Sequence, residues 1–139
     1  MRAITSLAVS LLLALGAAGC SNSTTSPTTT TTTPTSPFTV TFASALAQGG
    51  STTRTFVTST SGTIKLTLAS LGTGAQKAGI GVGITTTAAP CSLAQSVITL
   101  PGSSPQISLP ADQGTYCVQI FDVGTLVDDT PFSLTVEYP

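Results

Sequence analysis

The chain has 139 residues, of which four are Lys or Arg, five are Asp or Glu and none is His; charged residues make up 6% of it and the formal net charge is −1. A soluble globular domain averages roughly a quarter charged residues, and a nucleic-acid binder needs clustered Lys and Arg, so no nucleic-acid partner is expected. With no histidine the usual general base, triad member and zinc ligand is missing, no paired carboxylates stand in for it, and the chain reads as non-enzymatic.

In chain order, Met1 and Arg2 form a short positive start, followed by the apolar run Leu7 to Leu15 and the small residues Gly16, Ala17, Ala18 and Gly19. A membrane-crossing helix takes about 20 apolar residues; this run has the length of a signal-peptide core. Residues 1–19 are therefore read as an export signal. Cys20, directly after Ala17-Ala18-Gly19, resembles the lipobox of bacterial lipoproteins, in which a small residue precedes the cysteine that is lipidated and becomes the new N-terminus. Ala17 stands where that pattern usually has leucine. The resemblance implies a covalent lipid on Cys20, with enough acyl chains for stable anchoring. The mature protein would then be held to the lipid bilayer without spanning it. The alternative is an ordinary secretory signal cleaved near Gly19. Ser21 rather than Asp follows the cysteine, which in a Gram-negative bacterium resembles an outer-membrane lipoprotein, so the expected location is the outer membrane or cell surface.

Residues 20–37 comprise that cysteine and a tether. Ser21 to Pro37 holds nine Thr, four Ser, three Pro and one Asn, with six consecutive Thr at 28–33. Such a segment has no apolar surface to offset its ordering entropy. As a flexible spacer it would reach about 20–25 Å on average and lift a domain off the lipid; the same composition also suits a glycosylated stalk.

Residues 38–139 read as one all-β domain. FTVTF (38–42), TRTFVTS (53–59), TIKLTLAS (63–70), GIGVGITT (79–86), SVITL (96–100), QISL (106–109), TYCVQIF (115–121) and FSLTVEY (132–138) alternate with period 2, separated by Gly, Pro and Ser. Alternation with β-branched enrichment is the strand signal. Seven to eight short, mostly antiparallel strands in one small domain predict a β-sandwich, of jelly-roll or immunoglobulin-like order. Ile64, Leu66 and Leu68 share one face, as do Ile80, Val82 and Ile84, with Gly79, Gly81 and Gly83 leaving the opposite face nearly bare. These glycines allow a backbone or ligand to come close, or mark a bend; with no helix after them they are not a phosphate loop.

An exported chain meets an oxidising compartment, so with Cys20 lipidated the remaining Cys91 and Cys117 are expected to form a disulfide. Tyr116, Val118 and Ile120 read as the core-facing set of their strand, which puts Cys117 on the opposite face and Cys91 clipped across the outside of the sheet. No CxxC spacing or basic neighbour supports a redox or metal role. Tyr116, beside a glycine turn, is expected to be a buried corner residue with its hydroxyl bonded to backbone. Neither Lys65 nor Lys77 sits in a recognisable nucleophile turn with a serine.

The strand opened by Gly114-Thr115-Tyr116, the turn Asp122-Val123-Gly124 and the closing strand Phe132-Ser133-Leu134-Thr135-Val136 resemble the bacterial pre-peptidase C-terminal domain, a secreted β-sandwich often appended to extracellular hydrolases. The likeness is good over about the last 30 residues and only outlined elsewhere. It implies an exported accessory module that is not itself a catalyst. Some members bind calcium through acidic residues near the domain's start, but positions 38–60 hold no Asp or Glu, so that site does not carry over. Asp122, Asp128 and Asp129 lie in or near the last hairpin loop. As a solvated loop they would cap the sandwich; as a ligand set they would hold a Ca²⁺ with backbone carbonyls. The expected function is a non-catalytic binding module at the cell surface, with an unidentified protein or polysaccharide partner. The alternative is a passive coat. An exposed apolar patch would favour binding, and a surface covered in Thr and Ser would favour coating.

Overall fold

The computed structural model describes residues 37–139; the expected export signal, Cys20 and all of the expected tether but Pro37 lie outside the described residues. Eight strands follow one another: β1 Phe38–Leu46, β2 Ser51–Thr58, β3 Gly62–Leu71, β4 Ala78–Ile84, β5 Ser92–Thr99, β6 Ile107–Ala111, β7 Gly114–Asp122 and β8 Thr130–Tyr138. Every predicted strand is present. The main extensions are at β1, which runs four residues further than its alternation suggests, and at β5, which begins four residues earlier.

The strands form two four-stranded antiparallel sheets, β1-β8-β3-β6 and β2-β7-β4-β5. The pairs β1·β8, β2·β7, β3·β6 and β4·β5 are nested, as in one long hairpin ribbon. Rolling that ribbon up adds the β3·β8 and β4·β7 pairings. This is the jelly-roll order, one of the two sandwich orders compatible with the sequence.

Alternation along each strand sends one face inward. Ile64, Leu66 and Leu68 of β3, Ile80 and Val82 of β4, Val118 and Ile120 of β7, and Phe132, Leu134 and Val136 of β8 are fully or almost fully buried in one core. Large aliphatic side chains of this kind contribute about 1.5–3 kcal/mol each when removed from water. In β3 the register against β8 shifts between Leu68 and Ser70. The extra residue, Ala69, lets Leu68 and Leu71, three positions apart, both face inward. Ile84 keeps the parity of Ile80 and Val82 but lies at the strand end, where it is 49% exposed.

Consecutive strands run up and down, so the connections gather at two poles. One pole holds Phe38, Pro139 and the loops 59–61, 85–91 and 112–113. The other holds the loops 47–50, 72–77, 100–106 and 123–129.

Candidate functional site

The ends of β3 and β8 pair at Leu71 and Phe132, which brings the loop 72–77 against the loop 123–129. Gly72 adopts φ +53° and its N–H donates to the Pro131 carbonyl at 2.8 Å. A Cβ there would lie 2.7 Å from the Thr130 methyl and 2.8 Å from Gln76 Oε1, so both space and backbone conformation select glycine. Between these loops opens a cavity of about 350 Å³, lined by Gly72, Thr73, Gln76, Val127, Asp128, Asp129, Thr130 and Pro131. Its lining contains two carboxylates and no basic side chain. Val127 on its rim is 73% exposed. Thr130 Oγ1 donates to the Asp128 carbonyl at 2.9 Å and fixes the loop. Gln76 Oε1 is buried without a hydrogen-bond partner.

Asp122 stands apart from Asp128 and Asp129 in its role. Its Oδ1 accepts the backbone N–H groups of Gly124, Thr125 and Leu126 at 2.9, 3.1 and 3.3 Å, and its Oδ2 accepts that of Gly49 at 2.8 Å. The carboxylate thus ties the β1–β2 turn to the start of the β7–β8 loop. The Gly49 N–H is the main cause holding the Asp122 carboxyl below the ordinary aspartate range; desolvation opposes it, and the N–H groups of Leu126, Thr125 and Gly124 each add a lesser lowering. Asp128 and Asp129 meet at the cavity, whereas Asp122 is engaged by backbone. Among the described residues no group of three or more His, Cys, Asp or Glu side chains is assembled to hold a metal.

The disulfide joins Cys91 and Cys117, with Cα atoms 5.7 Å apart. Cys117 is buried yet lies outside the core cluster, on the face opposite Val118 and opposite Gly83 in the neighbouring strand. The expected clip across the outside of the sheet is therefore present.

The glycine face of β4 is not left bare. A Cβ on Gly79 would meet the Phe121 ring at 2.1 Å, one on Gly81 would meet Leu93 at 2.8 Å, and one on Gly83 would lie 1.9 Å from the Ser92 carbonyl oxygen. Flanking strands fold their own side chains and backbone over it, and β5 bulges between the partners of Val82 and Gly83. A close backbone approach was expected there; its source is β5 itself.

Tyr116 is the expected corner residue, but it is only half-buried, packed against the edge of the core. Its hydroxyl donates to the Asp112 carbonyl at 3.1 Å and accepts the Asp112 N–H at 3.0 Å. Thr58 is buried beside it, its hydroxyl donating to the Asp112 carbonyl and accepting the Gly114 N–H.

No protein-family model matches the sequence, and no curated protein matches it.

Alternation and composition pointed to neither Gln76, Thr73 nor Thr130 as cavity residues. These positions become neighbours only through the β3·β8 pairing, which joins parts of the chain more than 50 residues apart, and no local pattern marks them. The sole local cue was the Asp128-Asp129 pair.

Proposed function

We propose that the protein is an exported bacterial lipoprotein, anchored by lipid on Cys20, whose jelly-roll domain is a non-catalytic binding module. The observation that carries this reading is the position of the cavity. It opens at the pole opposite Phe38, the point where the chain from Cys20 enters β1. A domain tethered at Phe38 presents that cavity away from the lipid. A volume of about 350 Å³ lies at the small end of ligand-sized pockets. Its acceptor-rich lining of Asp128, Asp129 and Gln76 suits a ligand that offers hydrogen-bond donors, such as the hydroxyls of a polysaccharide. The likeness of 114–136 to the pre-peptidase C-terminal domain supports an accessory role.

A second reading, the passive coat, draws on the outer face of the first sheet. Thr41, Thr135 and Thr67 lie abreast across β1, β8 and β3, flanked by Thr39, Thr63 and Ser133. This face has no large apolar side chain to recognise a partner.

The test is co-sedimentation of the mature protein with insoluble envelope and plant polysaccharides, with calcium and with chelator, alongside Asp128→Asn/Asp129→Asn and mass spectrometry of the N-terminus. Saturable retention that the double variant loses supports the binding module, and loss in chelator would add a cation to the site. Retention by no polysaccharide under either condition favours the coat. A free Cys20 thiol, or an N-terminus elsewhere, refutes the lipoprotein reading.

A further inference from the structure

We propose that the Phe38 pole of the domain docks against the headgroup region of the bilayer that anchors it; this rests on the lipid-anchored reading above. The pole carries a continuous row of apolar and aromatic side chains that runs across both sheets. Phe38 stacks on Tyr138 with ring centroids 5.8 Å apart, Tyr138 lies 4.9 Å from Phe56, and Phe56 stacks on Tyr116 at 6.0 Å. Ile84 pairs with Tyr116 and extends the row. Its two ends face solvent, Phe38 at 54% and Ile84 at 49% exposure, while Phe56 in the middle is buried.

This row is held in place before anything binds it. The Tyr116 hydroxyl is locked to both polar groups of the Asp112 backbone. Rings with an apolar body and a polar tip are the side chains that settle at a membrane–water interface, and pre-ordered rings lose little freedom on contact.

Charge separates the two poles. The loops of the Phe38 pole, 59–61, 85–91 and 112–113, contain one charged residue, Asp112. Nearby, Lys65 and Glu137 neutralise each other at 3.3 Å. The opposite pole carries Lys77 against Asp122, Asp128 and Asp129, one positive charge against three negative. An anionic lipid surface repels that pole and leaves the nearly uncharged aromatic pole as the one it accepts.

Chain length selects the same pole. Seventeen residues separate Cys20 from Phe38, and the spacer expected from their Thr/Ser/Pro composition would reach about 20–25 Å on average. The nine residues of β1 span about 30 Å from pole to pole. The cavity pole therefore lies beyond the average reach of the tether, whereas the Phe38 pole falls within it. Docking by this pole would hold the cavity outward instead of letting the domain tumble on its tether.

The chain contains no Trp, so a single substitution supplies a clean reporter. Full-length lipidated Phe38→Trp, Ile84→Trp and Val127→Trp are reconstituted into vesicles of phosphatidylcholine and phosphatidylglycerol with brominated acyl chains, and the vesicles are floated. The proposal expects Phe38→Trp and Ile84→Trp to lose part of their emission to bromine quenching, relative to unbrominated vesicles, while Val127→Trp keeps its emission. Two variants at the pole guard against one that fails to fold. Floated protein with all three emissions unquenched overturns the docking and leaves the anchor standing. A Phe38→Trp emission that is blue-shifted but unquenched assigns the pole to a protein neighbour and likewise overturns it. Protein that does not float removes the anchor, and the docking with it.

Discussion

Gly83→Ala is the sharpest test of how β4 and β5 fit together. An added Cβ would lie 1.9 Å from the Ser92 oxygen and 2.6 Å from the Ser92 carbonyl carbon, both of them backbone. Ordinary contact distances are about 3.5 Å, so Ser92 has to retreat by about 1.5 Å, more than a ladder hydrogen bond tolerates. Losing two bonds at the β4–β5 bulge costs about 2 kcal/mol. Drawing Leu93 off the Gly81 surface costs about 1 kcal/mol more. Alanine's advantage over glycine in a strand returns about 0.5–1 kcal/mol, leaving a net loss of about 2–2.5 kcal/mol. Gly79→Ala has a nominally similar clash, 2.1 Å, but with the ring of Phe121. That side chain is partly exposed and can swing outward, so the loss is about 1 kcal/mol or less after the same offset. Urea denaturation of the oxidised proteins, followed by far-ultraviolet circular dichroism, measures both. With a slope of about 1–1.5 kcal/mol/M for a domain of this size, Gly83→Ala shifts the midpoint down by about 2 M. A Gly83→Ala variant as stable as the parent, or one more stable than Gly79→Ala, would refute the reasoning.

Three further outcomes are expected. Replacing Cys91 and Cys117 together by Ala reopens a loop with a sequence separation of 26 and lowers stability by about 3.5 kcal/mol on loop-closure entropy; equal urea midpoints for the parent and the double variant would contradict it. Because the Asp122 pKa is lowered from 3.8 in the folded state, chiefly by the Gly49 N–H, its stabilisation is present above the unfolded value and is lost as pH falls through the folded one. Stability should therefore drop below about pH 4, and Asp122→Asn should flatten that acid arm in urea midpoints measured from pH 2 to 6; an unchanged arm would assign the drop to other groups. Tyr116→Phe removes a hydroxyl that both donates to and accepts from the Asp112 backbone, at a cost of about 1–2 kcal/mol, and thermal unfolding at matched pH reads the loss directly.

Much of the fold was legible because strand alternation is a local property. Each inward set, such as Ile64-Leu66-Leu68 or Phe132-Leu134-Val136, is written within one short segment, and burial follows from the pleat. The outward position of Cys117 followed from the same parity, and Tyr116 announced its corner through the adjacent glycine. The Ala69 bulge was not legible, because an extra residue shows itself only against a partner strand. Asp122 was not legible either. Its tie to the β1–β2 turn runs through the N–H of Gly49, 73 residues away, which no local pattern marks.

Periodicity and cysteine content, which need no knowledge of neighbours, were enough to establish that residues 38–139 form strands, which side of each strand is apolar, and that Cys91 and Cys117 can pair. The rest came from the packing of the strands. The nesting of β1 with β8, β2 with β7, β3 with β6 and β4 with β5 chose jelly-roll order among sandwiches with the same strand pattern. That nesting placed Asp128 and Asp129 across a cavity from Gln76 and sent Phe38, Tyr138, Phe56 and Tyr116 to the pole where the chain enters. The physical reason is that strand pairing acts between residues far apart in the chain. Many pairings bury the same apolar faces, and the one adopted is settled by how all eight strands close around a single core.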